Sequence, residues 1–172
     1  ANWDEIAIGD KNGPLISADL TCYDGFYPFD AQAGTCGDSV IWTLSEGVLT
    51  ISGTGEIEDM DWRNDAPWSE YYTRITTIHI EDGITSIGDR AFYDCRNLTS
   101  IIIPDSVTSI GYGAFEYCSS LTSITIPDSV TSIENSVFSW CSSLTSITIP
   151  DGVTSIGNYA FSWCINLTSI TI

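Results

Sequence analysis

Few side chains in this sequence could do acid–base or nucleophilic chemistry. The 172 residues include one histidine, His79, and one lysine, Lys11, beside six cysteines and 23 acidic residues. Catalysis of this kind needs a base within reach of a nucleophile or a proton donor, and no GxSxG, HExxH or phosphate-loop string is present. Because His79 lies between Ile78 and Ile80, we expect it to be an exposed strand residue. The sequence therefore predicts a protein that is not an enzyme.

The six cysteines form two groups. Four share one spacing and one apolar environment: Cys95, Cys118, Cys141 and Cys164. Buried free cysteine behaves as a small apolar side chain, and side chains that point in parallel suit a disulfide poorly, so we expect reduced thiols in this column. Cys22 and Cys36 lie outside it and could either pair or stay reduced. With no CxxC pair and one histidine, we predict no metal site and no cofactor.

The net charge of −18 excludes whole classes of partner. Nucleic-acid binding needs a basic surface that displaces counterions from phosphates, and anionic membrane surfaces are disfavoured for the same reason. No apolar run approaches the roughly 18 residues of a membrane span. Since 43% of the residues are hydrophobic, the chain is expected to fold rather than remain an acidic tail.

A repeat of 23 residues, starting near Ile75, positions these side chains. The recurring apolar positions are Ile78, Ile101, Ile124, Ile147 and Ile170; Ile80, Ile103, Ile126, Ile149 and Ile172; Ile87, Ile110, Ile133 and Ile156; and Phe92, Phe115, Phe138 and Phe161. Copies of this kind bury their apolar faces by stacking on one another. The sequence predicts a β-rich solenoid of 23-residue coils, with short strands, short helical turns and a β-hairpin cap at its N-terminal end.

One copy, residues 121–143, reads LTSITIPDSVTSIENSVFSWCSS. LTSITI alternates apolar and hydroxyl residues, which is typical of a strand with one buried face. Pro127-Asp128-Ser129 predicts a turn, VTSI a second extended stretch, and SVFSWC about one helical turn with Phe138 and Cys141 inward. The pattern LxxIxIPxxVTxIGxxAFxxC over residues 75–172 resembles the BspA-like (Treponema-type) leucine-rich repeat family of bacterial surface proteins. Glu81 departs from it, standing where later copies have proline.

That resemblance implies a non-catalytic, secreted or cell-surface bacterial module for adhesion or protein binding, with a protein or cell-surface glycan as partner. CGDSVIWTLSEGVLTISGTGEIEDM (residues 36–60) is similar to the entry module that precedes such repeats. We expect an irregular extension over 1–36, a capping β-hairpin and lead-in over 37–74, and four coils plus a final strand over 75–172. The hairpin strands SVIWTLS and VLTISGTG join through Glu46-Gly47, and they would cover an otherwise exposed apolar edge.

Two surfaces are candidates for ligand binding. The concave strand face comprises Thr77, His79, Ser100, Ile102, Ser123, Thr125, Ser146, Thr148, Ser169 and Thr171. It could bind protein or glycan, or its hydroxyls could simply suit a solvated strand and satisfy one another in ladders. On the convex side, a column of Tyr117, Trp140 and Trp163 could grip a sugar ring or a neighbouring chain, or each ring could pack over the copy below.

The two ends suggest self-association. The chain begins at Ala1 without a methionine or a leader, so we expect a piece of a longer product, and it stops at a repeat strand. An uncovered strand edge is a template for another chain. Ile8 and Gly9 of one copy could dock on Ile170 and Ile172 of another, and this head-to-tail contact would grow a filament. The alternative to a binding module is therefore a structural protomer of an extracellular filament or surface layer.

Overall fold

The computed structural model describes residues 31–61 and 65–172. Its strands are β1 Gln32–Gly37, β2 Val40–Ser45, β3 Val48–Gly53, β4 Gly55–Glu56, β5 Thr77–Ile80, β6 Ile84–Ile87, β7 Ser100–Ile102, β8 Ser109–Ile110, β9 Ser132–Ile133, β10 Ser146–Thr148, β11 Ser155–Ile156 and β12 Ser169–Thr171. A single turn of 3-10 helix, Ser69–Tyr71, lies in the lead-in. Within these ranges the structure has no helix with the length and apolarity needed to cross a membrane.

The first three strands form an antiparallel meander in which β2 pairs with both β1 and β3. Glu46 and Gly47 connect β2 to β3 with φ of 50° and 82°. Positive φ at both residues of a two-residue connection matches the twist of a hairpin, so the hairpin predicted from the sequence is present.

The sequence predicts an irregular extension over residues 1–36, and this prediction is wrong for the last residues of that range, because β1 begins at Gln32. The small residues of QAGTCG carry little strand propensity, which hid this strand. Their size has a reason: a Cβ on Gly34 would stand 2.7 Å from Nε1 of Trp42.

Two lines of parallel strands carry the repeat. In the first, β3 pairs with β5 and β5 with β7, and further along β10 pairs with β12. In the second, β4, β6 and β8 are neighbours, and β9 pairs with β11. Ser146 lies opposite Ser169 and Ile133 opposite Ile156. Residues that occupy the same position in successive repeats are therefore the ones that pair between strands.

The third side of each repeat consists of turns, and the predicted helical turns are wrong. Ser136 and Trp140 have φ of 59° and 62°, a left-handed conformation that interrupts a right-handed helix. Alternate N–H groups bond to the next repeat instead of along the chain: Phe138 N–H donates to Ala160 O at 2.9 Å and Trp140 N–H to Ser162 O at 2.8 Å. The spacing of Phe138 and Cys141 mimics a helix because both point inward from consecutive turns.

The core is a column of rings that runs through the repeats. Phe92, Phe115, Phe138 and Phe161 stack with centroids 5.5, 5.7 and 5.6 Å apart. Trp68, in the lead-in, extends this column by stacking on Phe92 at 5.6 Å, and its Nε1–H donates to Ala91 O at 3.1 Å. Trp42 of β2 meets Trp68 edge-on at 6.0 Å, so the meander and the repeats share one core.

Candidate functional site

The strand face lies on the exposed side of the first strand line. Thr77 is half-buried and the other nine members are exposed, while the alternating Ile78, Ile124 and Ile147 are buried. The members also align: His79 pairs with Ile102, and Thr148 pairs with Thr171. Alternation along the strands therefore places ten side chains in two adjacent rows on one surface.

The hydroxyls of this face differ from those that flank it. Threonines beside the strands donate to a carbonyl of the preceding repeat at 3.0–3.3 Å: Thr99, Thr108, Thr145, Thr154 and Thr168. By contrast, no side chain of the strand face hydrogen-bonds to another group in residues 31–61 and 65–172. The flanking threonines thus spend their hydroxyls on backbone carbonyls of the neighbouring repeat, and the face keeps its donors and acceptors for solvent or a ligand.

A cavity of about 480 Å³ opens at one end of the strand face. It is lined by His79, Ile80, Glu81, Asp82, Ile102 and Pro104. The Ile102 side chain is 57% exposed. In the described part of the chain, no group of three or more histidine, cysteine or acidic side chains has the arrangement of a metal site. We refer to this feature as the Ile102 cavity.

Sequence reasoning placed His79 and Ile102 on the strand face but missed the cavity. The signal was present, because His79, Glu81 and Ile102 depart from Thr125, Pro127 and their later equivalents. A departure from a repeat marks a position that stacking alone does not dictate. The cavity itself depends on three-dimensional placement of Pro104 and Asp82, which spacing does not reveal.

The aromatic column on the convex side is stacked. Ring centroids lie 5.7 Å apart for Tyr117 and Trp140 and 4.6 Å apart for Trp140 and Trp163, with interplanar angles of 17° and 11°. Tyr93 joins it edge-on at 5.5 Å from Tyr117. Stacking covers ring faces, whereas a sugar binds by its own apolar face against an open ring. The geometry favours packing between repeats as the role of Tyr117 and Trp140.

The four repeat cysteines are buried free thiols, as predicted. Each Sγ after the first donates to a phenylalanine carbonyl of the preceding repeat: Cys118 to Phe92 O at 3.3 Å, Cys141 to Phe115 O at 3.2 Å and Cys164 to Phe138 O at 3.0 Å. Burial raises the pKa of all four thiols. This column therefore holds protonated thiols that act as apolar filling with a weak donor.

Of the remaining candidate residues, some lie within the residues that the structure describes and others lie outside them. Cys36 is a buried free thiol, but Cys22 lies outside the described residues, so the pairing of the two stays a prediction. Ile8 and Gly9 also lie outside them. Their proposed counterparts Ile170 and Ile172 are 47% and 85% exposed.

Comparisons with known proteins agree with this architecture. The family model described as the BspA type leucine rich repeat region, in six copies, matches residues 70–172. A leucine-rich repeat protein from Eubacterium ventriosum superposes with a TM-score of 0.67 at 30% identity, over 82% of this chain and 44% of that one. The T. pallidum leucine-rich repeat protein gives 0.62 at 25% identity, over 81% and 67%. One from Bacteroides ovatus gives 0.55 at 29% identity, over 72% and 36%.

The search of the curated proteins returned no match. The chain spans less than half the length of the Eubacterium ventriosum protein. The family match covers more than half of this chain, and the parallel strands at the repeat spacing are what such a sequence should build. The chain belongs to the BspA-type leucine-rich repeat family.

Proposed function

We propose that the chain is a non-catalytic, extracellular leucine-rich repeat module of a bacterial surface protein, and that its strand face binds a protein or a cell-surface glycan. The matching family model describes a repeat region rather than a catalytic domain. Stacked repeats of a solenoid offer an extended surface that suits large partners better than small molecules.

The observation that carries this proposal is the contrast between the face and its flanks. Thr154 Oγ1 donates to Thr131 O at 3.3 Å, whereas Thr125 and Thr148, which are also exposed and are joined by a parallel bridge, direct their hydroxyls to solvent. Regular rows of uncommitted hydroxyls can hydrogen-bond a partner without first breaking an internal bond, so desolvation is the main cost of binding there.

Matched pairs of threonine-to-valine variants test the proposal. Binding of the full chain to a panel of immobilised extracellular-matrix proteins and mucin glycans would be measured by biolayer interferometry. We expect Thr125→Val with Thr148→Val to weaken binding about tenfold, because two hydrogen bonds to the partner are lost, with no loss of stability. The control, Thr131→Val with Thr154→Val, should keep binding and lose up to about 1 kcal/mol of stability.

The proposal is wrong if the face pair and the control pair bind the panel equally to the wild type. It is also wrong if the wild-type chain binds nothing in the panel while remaining folded by circular dichroism.

A second function is favoured by the last described repeat. Several large apolar side chains are exposed there: Ile156 47%, Tyr159 74%, Trp163 58%, Ile165 72%, Ile170 47% and Ile172 85%. Ile133 and Ile147, which are the equivalents of Ile156 and Ile170 in the preceding repeat, are 2% and 3% exposed beneath a following repeat. In a stack of repeats such side chains are covered by the next unit, and in a head-to-tail filament that unit would be a second copy of the chain.

Light scattering and negative-stain microscopy test the filament. The wild-type chain is expected to form particles that grow with concentration, and Ile170→Asp with Ile172→Asp is expected to abolish them. Ser169→Asp with Thr171→Asp, on the outward side of the same strand, is the control for added charge. Monodisperse wild-type particles at the monomer mass of 18.7 kDa would contradict the filament.

A further inference from the structure

The Ile102 cavity interrupts an otherwise regular surface. Later repeats place Thr125, Thr148 and Thr171 in the outward row where the first two place His79 and Ile102. Ile102 and His79 are direct cross-strand partners on β7 and β5. An exposed isoleucine is costly at a position where the later repeats all carry threonine, so stacking of the repeats does not explain its presence.

The acidic side of the cavity is a second departure. Glu81 occupies the position of Pro104, Pro127 and Pro150 in the later repeats. Its N–H donates to Ile51 O of β3 at 2.9 Å, a bond that proline could not make. This bond accounts for the loss of proline but not for the choice of a carboxylate.

The two carboxylates of the cavity are available for an external cation. Glu81 and Asp82 are exposed, and neither carboxylate has a hydrogen bond or an ion pair with any residue of the described ranges. An apolar floor of Ile80 and Ile102 therefore lies beside two negative charges, in a cavity of about 480 Å³. The cavity is open to solvent rather than enclosed, and its volume can hold an aliphatic side chain with its neighbours.

We propose that the Ile102 cavity recognises an aliphatic side chain flanked by lysine or arginine in a segment of a partner protein. The inference rests on the proposed function and specifies the partner at one end of the strand face. The aliphatic group covers Ile102, and the cationic groups pair with Glu81 and Asp82, where charge-assisted hydrogen bonds are the strong ones. The net charge of −18 favours encounter with basic partners.

The charges decide between classes of partner. Phosphates of a nucleic acid or an anionic lipid would meet two carboxylates and be repelled. The hydroxyls of a neutral glycan would donate to the carboxylates, but a glycan brings no cation to pair with them and no aliphatic side chain to cover Ile102. A basic, aliphatic protein segment complements both parts of the cavity.

Fluorescence anisotropy with short labelled peptides tests the proposal on the full chain. The probe is Ser-Lys-Leu-Lys-Ser, with one comparison peptide in which glutamate replaces both lysines and another in which serine replaces leucine. We expect the probe alone to bind, and its affinity to fall as salt rises, because partly exposed ion pairs are screened. No saturable binding of the probe up to about 1 mM, the weakest affinity of practical use, would overturn the proposal.

Variants separate the cavity from the rest of the strand face. Ile102→Thr, which restores the residue of the later repeats, should weaken probe binding about fivefold, and Glu81→Gln with Asp82→Asn should weaken it about tenfold. The control Asp128→Asn removes a turn carboxylate from a later repeat and should leave binding unchanged. Equal binding by the cavity variants and the control would also overturn the proposal.

The two proposals fail in different ways. If Thr125→Val with Thr148→Val weakens binding to the panel of matrix proteins and mucin while the cavity variants leave probe binding unchanged, the cavity proposal is wrong and the strand-face proposal stands. If the threonine variants leave panel binding unchanged and the cavity variants leave probe binding unchanged, both proposals are wrong.

Discussion

At the scale of single residues, the buried thiols are the clearest case of chemistry suppressed by the fold. Burial raises the pKa of Cys164 from its ordinary value of 9.0 to about 11. Burial, aided by the nearby Glu58 carboxylate, raises the pKa of Cys36 from 9.0 to about 12. Because the thiolate is the nucleophile, both side chains are inert at neutral pH.

The raised pKa values predict that stability falls at alkaline pH. Above pH 9 the unfolded chain releases thiol protons that the folded chain still holds, so the contribution of each thiol is complete below pH 9 and is lost as pH rises toward about 11 for Cys164 and about 12 for Cys36. Urea unfolding at pH 8 and pH 10.5 measures this loss. In Cys164→Ala, stability should decline less steeply with pH than in the wild type; an identical decline would contradict the assignment.

Residue-level reasoning succeeded where a position repeats and was incomplete where it does not. The inward isoleucines, the outward threonines and the reduced cysteines all follow from period-two alternation and fixed spacing, and the structure places them so. Trp68 was missed as the first ring of the core column, because it precedes the first recognisable copy and its identity differs from the phenylalanine of later copies.

At the scale of elements, the turns determine how strands connect, and the alternation of apolar and polar residues does not predict their conformation. Gly47 has φ of 82°, and its carbonyl accepts the Thr76 N–H at 2.9 Å and the Thr77 N–H at 3.2 Å. This one turn therefore closes the β2–β3 hairpin and also bonds it to the start of the repeats. The convex turns could not be predicted from the sequence, because left-handed residues such as Trp140 carry no compositional signal comparable to glycine.

Gly47→Ala is expected to destabilise the chain by about 1–3 kcal/mol, the cost of holding a side chain in left-handed backbone. The added Cβ would also stand 2.9 Å from Thr76 Oγ1 and 3.0 Å from Arg74 O. The matched control is Glu46→Gly at the adjacent position, where φ of 50° already suits glycine and little change is expected. Urea midpoints of the two variants give the comparison, and equal midpoints would contradict this role of Gly47.

At the scale of the whole molecule, the repeats behave as a stack of units that contact their immediate neighbours. The ring column, the thiol column and both strand lines all connect one copy to the next at the same spacing. Stability of such a stack is close to a sum of unit and interface contributions. The spacing of the repeat could thus be read from the sequence, whereas the joint core with the meander required the structure.

Deletion of residues 119–141 removes one whole repeat and rejoins Cys118 to Ser142, which restores the sequence Cys-Ser-Ser-Leu at the junction. We expect the variant to fold and to lose about 1–3 kcal/mol, since stability averages about 0.05–0.15 kcal/mol per residue. Deletion of residues 119–130, which removes part of a repeat, should prevent folding. Circular dichroism and urea unfolding measure both, and failure of the whole-repeat deletion to fold would contradict the additive description.

The opposed hydrogen bonds between repeats have an electrostatic consequence. Arg90, Phe92 and Asp94 donate their N–H groups forward to the next repeat, while Thr99, Thr108 and Gly111 of that strand side donate back to the preceding one. In an α-helix all peptide dipoles align, and partial charge accumulates at the two ends. Here the forward dipoles of the turns and the backward dipoles of Thr99, Thr108 and Gly111 oppose each other, so a repeat of this kind adds little charge to the ends of the stack. Evolution can therefore change the number of repeats without building up a field along the axis.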